Sequence, residues 1–236
     1  MKFNYYMKKI DAVAFDLDHT LYDRNATWRA LTEAVKRELL PKSKEIFTQE
    51  LCHALQKADR ISTYAETSWR GMLDELKRDG ILPCETPYAE FDAFIRHYFP
   101  GAIVPYSDTG KVLRWCREKG LGPSLITNGH AGLQEQKLEA MGLTDAFQVC
   151  IICNLDDGSP CKPQPAPFLT LAETLALPPE RIIYVGDNPV NDIAGAAGCG
   201  MQTAWLNVMN NWRPGVPAPT YEISTLSELM SVLSDE

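Results

Sequence analysis

The feature that most constrains the fold is a short apolar run that ends in two carboxylates. Residues 12–15, with the sequence AVAF, are followed directly by Asp16, and Asp18 comes two positions later. Such a run indicates a strand buried on both faces, as in the centre of a parallel sheet. Residues two apart in an extended chain point to the same side, so the carboxylates lie close together. At an effective dielectric near 20, charges about 4 Å apart repel by roughly 4 kcal/mol. The pair therefore predicts a bound cation, a shared proton or a catalytic role.

The composition indicates a folded protein. The chain has 236 residues, of which 45% are hydrophobic and 23% are charged. This leaves room for one large α/β domain, or for a core domain with a smaller module. The net charge of −8 disfavours binding to a nucleic acid polymer, because phosphate backbones require basic surfaces. A small anionic substrate remains compatible with this charge if a metal ion is bound.

Two further observations predict a cytoplasmic protein with no membrane partner. No apolar stretch approaches the roughly 18 residues of a membrane span, and residues 1–9 lack the apolar region of a signal peptide. The seven cysteines are odd in number and irregularly spaced, which suits a reducing compartment. Cys150, Cys153 and Cys161 can be read as metal ligands or as buried strand thiols. No second ligand pair accompanies them, which favours the second interpretation.

The next 80 or so residues show helical periodicity. Apolar residues recur at the spacing of four amphipathic helices, and proline and glycine separate the helices. We therefore predict a helical bundle over residues 25–97, inserted into an α/β domain. Trp69 and Arg70, adjacent in this insert, are its first candidates for substrate contact.

Helices and strands alternate over the remainder of the chain. Apolar runs predict four more strands at residues 124–127, 149–153, 182–185 and 203–206. This alternation predicts a doubly wound parallel, Rossmann-like sheet formed by residues 1–24 and 98–236.

Polar residues follow the predicted strands at the ends where open α/β sheets bind ligands. The second strand leads into Thr127, Asn128 and Gly129, whose hydroxyl and amides before a helix favour an anion. Lys162 follows the third strand, Asp187 follows the fourth, and Asp192 comes five residues later. Together with Asp16 and Asp18, this set predicts a site for Mg²⁺, which prefers oxygen ligands, and for a phosphoryl group.

These blocks, in this order, resemble the haloacid dehalogenase-like superfamily of phosphohydrolases. The signature segments are DxDxT at 16–20, TN at 127–128, KP at 162–163 and GDxxxxD at 186–192. The likeness covers residues 10–24 and 98–236. It implies an α/β core with a helical cap, Mg²⁺ as cofactor and a phosphomonoester substrate. Asn154 departs from the pattern, since relatives commonly have serine after the third strand.

The resemblance also implies a role for each matched residue. It makes Asp16 the nucleophile that forms an aspartyl-phosphate, and Asp18 the general acid and base. Asp16, the backbone carbonyl of Asp18 and Asp187 would hold Mg²⁺. Thr127 and the amides of Asn128 and Gly129 would bind the phosphate. Lys162 would neutralise charge. Asp192 would orient Lys162 or a metal-bound water.

The C-terminal part of the chain resembles the pyrimidine 5′-nucleotidase and phosphoglycolate phosphatase branches of that superfamily. The first expectation is therefore a phosphatase for a small phosphomonoester, with a nucleoside 5′-monophosphate as one candidate. Phosphoglycolate and sugar phosphates are the alternatives, and a phosphosugar mutase would use the same residues. A haloacid dehalogenase would lack the second aspartate, so Asp18 argues against it. A receiver-like switch shares the acidic pocket but has about half this length and no helical insert. His130 is a further candidate for contact with the leaving group.

Overall fold

The central feature of the structure is a six-stranded, wholly parallel sheet. A computed structural model describes residues 9–64, 68–155 and 157–234, so only Lys9 of the N-terminal segment 1–9 is included. The strand order is β3-β2-β1-β4-β5-β6. The strands are β1 Ala12–Phe15, β2 Ser124–Gly129, β3 Cys150–Asn154, β4 Ile182–Gly186, β5 Gln202–Leu206 and β6 Tyr221–Ile223. This topology confirms the predicted doubly wound, Rossmann-like α/β fold.

Nine α-helices are present in the described part of the chain. They are α1 Arg24–Glu38, α2 Thr48–Tyr64, α3 Ser68–Arg78, α4 Tyr88–Tyr98, α5 Thr109–Glu118, α6 Ala131–Ala140, α7 Pro165–Thr174, α8 Gly195–Gly198 and α9 Glu228–Ser234. Short 3₁₀ turns cover Pro100–Ala102 and Pro179–Arg181, and a π-helical turn covers Pro189–Ala194.

The sixth strand was not predicted from the sequence. β6 has only three residues, of which Ile223 alone is buried, so its sequence carries too short a pattern to identify a strand. It is placed by pairing with β5, in which Leu206 lies opposite Ile223. The strand therefore arises from tertiary contacts rather than from local sequence preference.

The sheet packs against helices through a continuous apolar core. β1 and β4 are buried along their whole length. Phe168 of α7 packs edge-on against Tyr184 of β4, with 5.1 Å between ring centroids. Complete burial of side chains of this size stabilises the fold by roughly 1.5–3 kcal/mol each. The rigid sheet that results fixes the positions of the strand ends.

The chain divides into two compact units. We call residues 9–22, 105–135 and 142–234 the core unit, and residues 23–104 with 136–141 the helical unit. The helical unit extends past the predicted segment 25–97 because the Phe99 ring packs 5.3 Å from Trp28 and 5.4 Å from Trp69. The Nζ atom of Lys137 lies 5.3 Å from the same ring, which groups part of α6 with these helices.

The helical unit contains a buried ion pair. The Nε and Nη2 atoms of Arg24 donate to the carboxylate of Asp59 over 2.7–3.0 Å. The guanidinium carbon lies 4.7 Å from the centroid of the Trp69 ring. The guanidinium therefore has both a charged partner and an aromatic face, which offset the cost of its burial.

No helix within the described ranges is both long enough and apolar enough to cross a membrane.

Candidate active site

The site lies where the sheet reverses its strand order. β1 and β4 are neighbours, and the chain winds outwards from this pair in both directions. Asp16 follows the last residue of β1, and Asp187 follows the last residue of β4. The amide of Asp16 donates to the carbonyl of Val185 over 2.9 Å, which holds the two strand ends in register. Ligands bind at such switch points in open α/β sheets.

Lys162 is the hub of the site, since its ammonium group connects three other side chains. Its buried ammonium group donates to Oδ1 of Asp16 over 2.6 Å and to Oδ1 of Asp192 over 2.7 Å. It also donates to the hydroxyl of Tyr184 over 2.9 Å, and that hydroxyl donates to the carbonyl of Ile126. Three acceptors match the three hydrogens of an ammonium group. Lys162 therefore reaches Asp16 despite the departure from the family pattern at Asn154.

Burial and charge act against each other at this hub. Desolvation raises the pKa of Asp16 to about 7, and this effect exceeds the opposing attraction of Lys162. Burial alone would lower the pKa of Lys162, but Asp16 and Asp192 hold it well above its ordinary value. Lys162 therefore stays charged at neutral pH, and additional positive charge beside Asp16 would favour its ionised form.

Asp192 is placed by the turn that follows β4. The side chain of Asn188 accepts from the amides of Val190 and Asn191 and caps the π-helical turn. Oδ2 of Asp192 accepts from the amide of Asn188 over 2.9 Å, which leaves Oδ1 to bind Lys162. A Cβ at Gly186 would overlap the Asp192 carboxylate, so glycine is required there for this close approach.

Three carboxylates lie close enough together to hold a cation. One oxygen each of Asp16, Asp187 and Asp192 lies within 4.8 Å of the others, and all three residues are buried. Among the described residues, this is the only such cluster of three or more potential ligands. Carboxylate oxygens are hard donors of the kind that bind Mg²⁺, so the donor set fits this cation. The indole nitrogen of Trp205 donates to the carbonyl of Asp187 over 2.9 Å and fixes that segment.

A tight turn after β1 presents Asp18. The amide of Leu21 donates to the carbonyl of Leu17, and His19 adopts the left-handed conformation with φ of 62°. Thr20 Oγ1 donates to Oδ2 of Asp16 over 3.2 Å. Oδ1 of the Asp18 carboxylate accepts from the hydroxyl of Tyr22. Oδ2 accepts from the side-chain amide of Gln134.

The end of β2 and the loop that carries Lys162 are joined by one side chain. Asn128 Nδ2 donates to the carbonyl of Lys162 over 2.8 Å, and its Oδ1 accepts from the amide of the same residue over 3.0 Å. The buried Thr127 hydroxyl lies 2.6 Å from the side-chain nitrogen of Gln134. Asn128 therefore has a positioning contact that its sequence motif did not reveal.

The structure brings most of the predicted site residues to one edge of the sheet and adds three that the sequence did not reveal. The added residues are Tyr22, Gln134 and Tyr184. Tyr22 and Tyr184 lie within apolar segments, where an aromatic residue reads as core. Gln134 belongs to no sequence motif that would identify it as a site residue.

The candidates in the helical insert have other contacts. Trp69 is buried and packs against Trp28, with 6.0 Å between ring centroids. The exposed Arg70 lies over the ring of Tyr88 at 4.1 Å. His130 precedes α6, and its carbonyl accepts from the amide of Gln134. The contacts of Trp69 are those of a core residue of the helical unit.

Comparison with known proteins extends these observations. A sequence model of the haloacid dehalogenase-like hydrolases matches residues 10–200. Pyrimidine 5′-nucleotidase YjjG of Escherichia coli is 36% identical over 110 residues, which cover 46% of this chain and 48% of that protein. The 5-amino-6-(5-phospho-D-ribitylamino)uracil phosphatase YigB of the same organism is 29% identical over 99% of this chain and 100% of its own length. Both phosphatases and dehalogenases occur among the relatives.

A solved structure supports the fold. The HAD-hydrolase YfnB of Bacillus subtilis superposes with a TM-score of 0.75 at 22% identity, covering 96% of this chain and 99% of that one. The doubly wound sheet with its acidic edge defines an α/β enzyme with a carboxylate-rich active site. The chain belongs to the haloacid dehalogenase-like hydrolase family. This membership confirms the predicted family and the predicted enzyme class, a hydrolase.

Proposed function

We propose that the protein is a Mg²⁺-dependent phosphatase that hydrolyses a small phosphomonoester through an aspartyl-phosphate on Asp16. The observation that carries the proposal is the buried contact of Lys162 with Asp16 and Asp192, beside the carboxylate of Asp187. When all four groups are ionised, they carry two more negative than positive charges. A stability role does not account for such an arrangement, whereas a divalent cation and a phosphoryl group do.

In the first half-reaction, an oxygen of Asp16 attacks phosphorus and the bond from phosphorus to the ester oxygen breaks. The proton of Asp18 passes to that ester oxygen, which leaves as an alcohol. Thr127 and the amides of Asn128 and Gly129 donate to the phosphoryl oxygens. Lys162 stabilises the negative charge that is shared between Asp16 and the phosphoryl group.

In the second half-reaction, the ionised Asp18 takes a proton from water. The water oxygen attacks phosphorus, the bond from phosphorus to Asp16 breaks, and inorganic phosphate leaves. Asp18 is then protonated again for the next cycle. The two contacts of its carboxylate, with Tyr22 and Gln134, support this assignment.

Asp16, Asp187 and the backbone carbonyl of Asp18 would hold Mg²⁺, with Asp192 in support through Lys162. When bound, the cation neutralises charge on the carboxylates and on the phosphoryl group. The raised pKa of Asp16 agrees with this assignment, because the ionised nucleophile gains from a nearby cation.

For the substrate, we propose a nucleoside 5′-monophosphate as the first candidate. Support comes from the resemblance of the C-terminal part to nucleotidases and from the identity with a pyrimidine 5′-nucleotidase over about half of the chain. Phosphoglycolate and sugar phosphates follow, since relatives named for other phosphate esters match over nearly the whole chain. We assign substrate selection to the predicted cap, residues 25–97, and place the protein in the cytoplasm.

Asp18 favours a phosphatase over a dehalogenase. A carbon–halogen displacement expels a halide, which needs no proton from an acid. Two hydrogen-bond donors hold the Asp18 carboxylate. A reaction that expels a halide would have no use for an acid held in this way. A phosphosugar mutase would transfer the phosphoryl group to a second sugar, so release of inorganic phosphate separates it from a phosphatase.

The test is a phosphate-release screen with Mg²⁺ over nucleoside monophosphates, sugar phosphates and phosphoglycolate. We expect turnover that chelation abolishes and that Asp16→Asn reduces to below a few per cent. Asp145→Asn, an exposed aspartate of the core unit, is the matched control and should keep full activity. Retention of activity in Asp16→Asn would refute the nucleophile. Activity without preference for any nucleoside monophosphate would remove only the nucleotidase assignment.

A further inference from the structure

Gln134 connects two parts of the site that come from different strands. Its side chain is buried in the first turn of α6, with 1% exposure. Its amide nitrogen lies 2.6 Å from Oγ1 of Thr127, 3.0 Å from Oδ2 of Asp18 and 3.2 Å from the carbonyl oxygen of Asn128. A buried glutamine with three polar neighbours, two of them in side chains assigned to catalysis and phosphate binding, is placed to control their geometry.

The chemistry of these neighbours fixes the direction of the hydrogen bonds. A carboxylate oxygen and a peptide carbonyl only accept, so the Gln134 atom that faces them is the amide nitrogen. An amide nitrogen cannot accept, so Oδ2 of Asp18 stays an acceptor. The other oxygen, Oδ1, faces the hydroxyl of Tyr22, which can donate or accept. Oδ1 is therefore the oxygen that can carry the mobile proton without loss of a hydrogen bond to Gln134.

Space for the Gln134 amide is built into β2. A Cβ atom at Gly129 would lie 2.7 Å from Cδ of Gln134, which is closer than real Cβ contacts allow. The absence of a side chain at Gly129 thus lets the amide pack against the backbone of the phosphate-binding segment. The position of Gln134 therefore depends on the space at Gly129 as well as on its own hydrogen bonds.

We infer that Gln134 is a positioning residue, which orients the Asp18 carboxyl so that Oδ1 exchanges the proton with the leaving oxygen. The same nitrogen also faces the hydroxyl oxygen of Thr127 and the carbonyl oxygen of Asn128, which hold the amide in this orientation. This inference rests on the proposed phosphatase function. Gln134 acts through Asp18 and is not assigned contact with the substrate.

The experiment compares two esters that differ in their need for an acid. An alkyl phosphomonoester releases an alkoxide that must be protonated, whereas p-nitrophenyl phosphate releases a stable phenolate. The ratio kcat/KM reports the steps up to loss of the leaving group. In Gln134→Met, which keeps the volume and removes the donor, kcat/KM for the alkyl ester should fall about 30-fold or more, and for the nitrophenyl ester about threefold at most.

Controls separate positioning from a general loss of structure. Gln136→Met changes an exposed glutamine of the same helix and should leave both esters unaffected. Gln134→Leu, which also lacks the amide and carries no charge, should repeat the asymmetry if Gln134→Met does not fold. In an Asp18→Asn background, Gln134→Met should cause little further loss, since both changes act on one step.

The outcomes distinguish this inference from the proposed function. Equal losses for the two esters, or no loss for either, would overturn the role of Gln134 while leaving phosphatase activity in place. A full additional loss in the Asp18→Asn background would overturn it as well. Absence of Mg²⁺-dependent phosphate release in the unmodified protein, or its persistence in Asp16→Asn, would instead refute the proposed function.

Discussion

Lys162 Nζ lies 2.6 Å from Oδ1 of Asp16, although the two residues are 146 positions apart in the chain. Both side chains are buried, and the same ammonium group also binds Asp192. The contact depends on the loop after β3, which Asn128 fixes to the end of β2. It makes Lys162 the residue on which both the charge balance and the geometry of the site depend.

Lys162→Met should therefore impair both activity and stability. We expect kcat/KM for a phosphomonoester to fall by about 10²–10³-fold, because stabilisation of the phosphoryl charge is lost. The free energy of unfolding should fall by about 3–5 kcal/mol, because Asp16 and Asp192 lose their buried partner. Steady-state kinetics and urea denaturation measure the two effects.

The matched control is Lys111→Met, which removes an exposed lysine from α5. It should change neither quantity by more than the scatter of the measurements. Lys162→Arg should fail to restore activity, because the planar guanidinium is larger and spreads its charge differently. Near-normal activity in Lys162→Met would contradict the assigned role.

The raised pKa of Asp16 predicts a pH-dependent stability in the absence of metal. Burial raises that pKa from 3.8 to about 7, so the folded protein binds more protons than the unfolded chain between these values. The contribution of Asp16 to stability is therefore greatest at acidic pH and is lost as the pH rises towards 7. Asp16→Asn lacks this dependence.

With a chelator present, the free energy of unfolding is measured for Asp16→Asn and for the unmodified protein. The value for the variant minus the value for the unmodified protein should increase between about pH 4.5 and pH 7.5. The expected increase is on the order of 2–4 kcal/mol. Urea denaturation at several pH values measures it, and Asp145→Asn provides the comparison at an exposed site. A difference that is constant, or that decreases with pH, would show that the pKa of Asp16 is not raised.

The buried pair in the helical unit predicts non-additive mutations. Arg24→Met alone, or Asp59→Leu alone, leaves one buried charge without its partner and should cost about 3–5 kcal/mol of unfolding free energy. The double variant removes both charges and should recover at least half of that loss. A double-mutant cycle by thermal or urea unfolding measures the coupling. Additive losses would show that the two side chains do not depend on each other.

The sequence was sufficient to predict the residues that stand at strand ends. Parallel strands bring their carboxyl ends to one edge, so the order of apolar runs alone places Asp16, Thr127 and Asp187 together. Lys162 could be added from its place in the loop after strand three, and Asp192 from its spacing after strand four. The fold class followed from the same alternation of apolar runs.

Residues that act on the site from helix or strand interiors could not be predicted. Tyr184 reads as a core residue of β4, because a buried strand gives no signal for a hydroxyl that faces a lysine. Gln134 stands beside the buried Leu133 on α6, and no motif or spacing singles it out. The limits of the helical unit could not be predicted either. Phe99 and Lys137 belong to it through tertiary packing and not through their position in the sequence.

The most direct test of the account is to trap the covalent intermediate on Asp16. The protein is mixed with Mg²⁺ and an accepted phosphomonoester, quenched in acid during the first turnover, and analysed by peptide mass spectrometry. We predict one added phosphoryl group on the peptide that contains Asp16, and none in Asp16→Asn. A phosphoryl group on any other residue, or turnover that persists in Asp16→Asn, would contradict the assignment of Asp16 as the nucleophile.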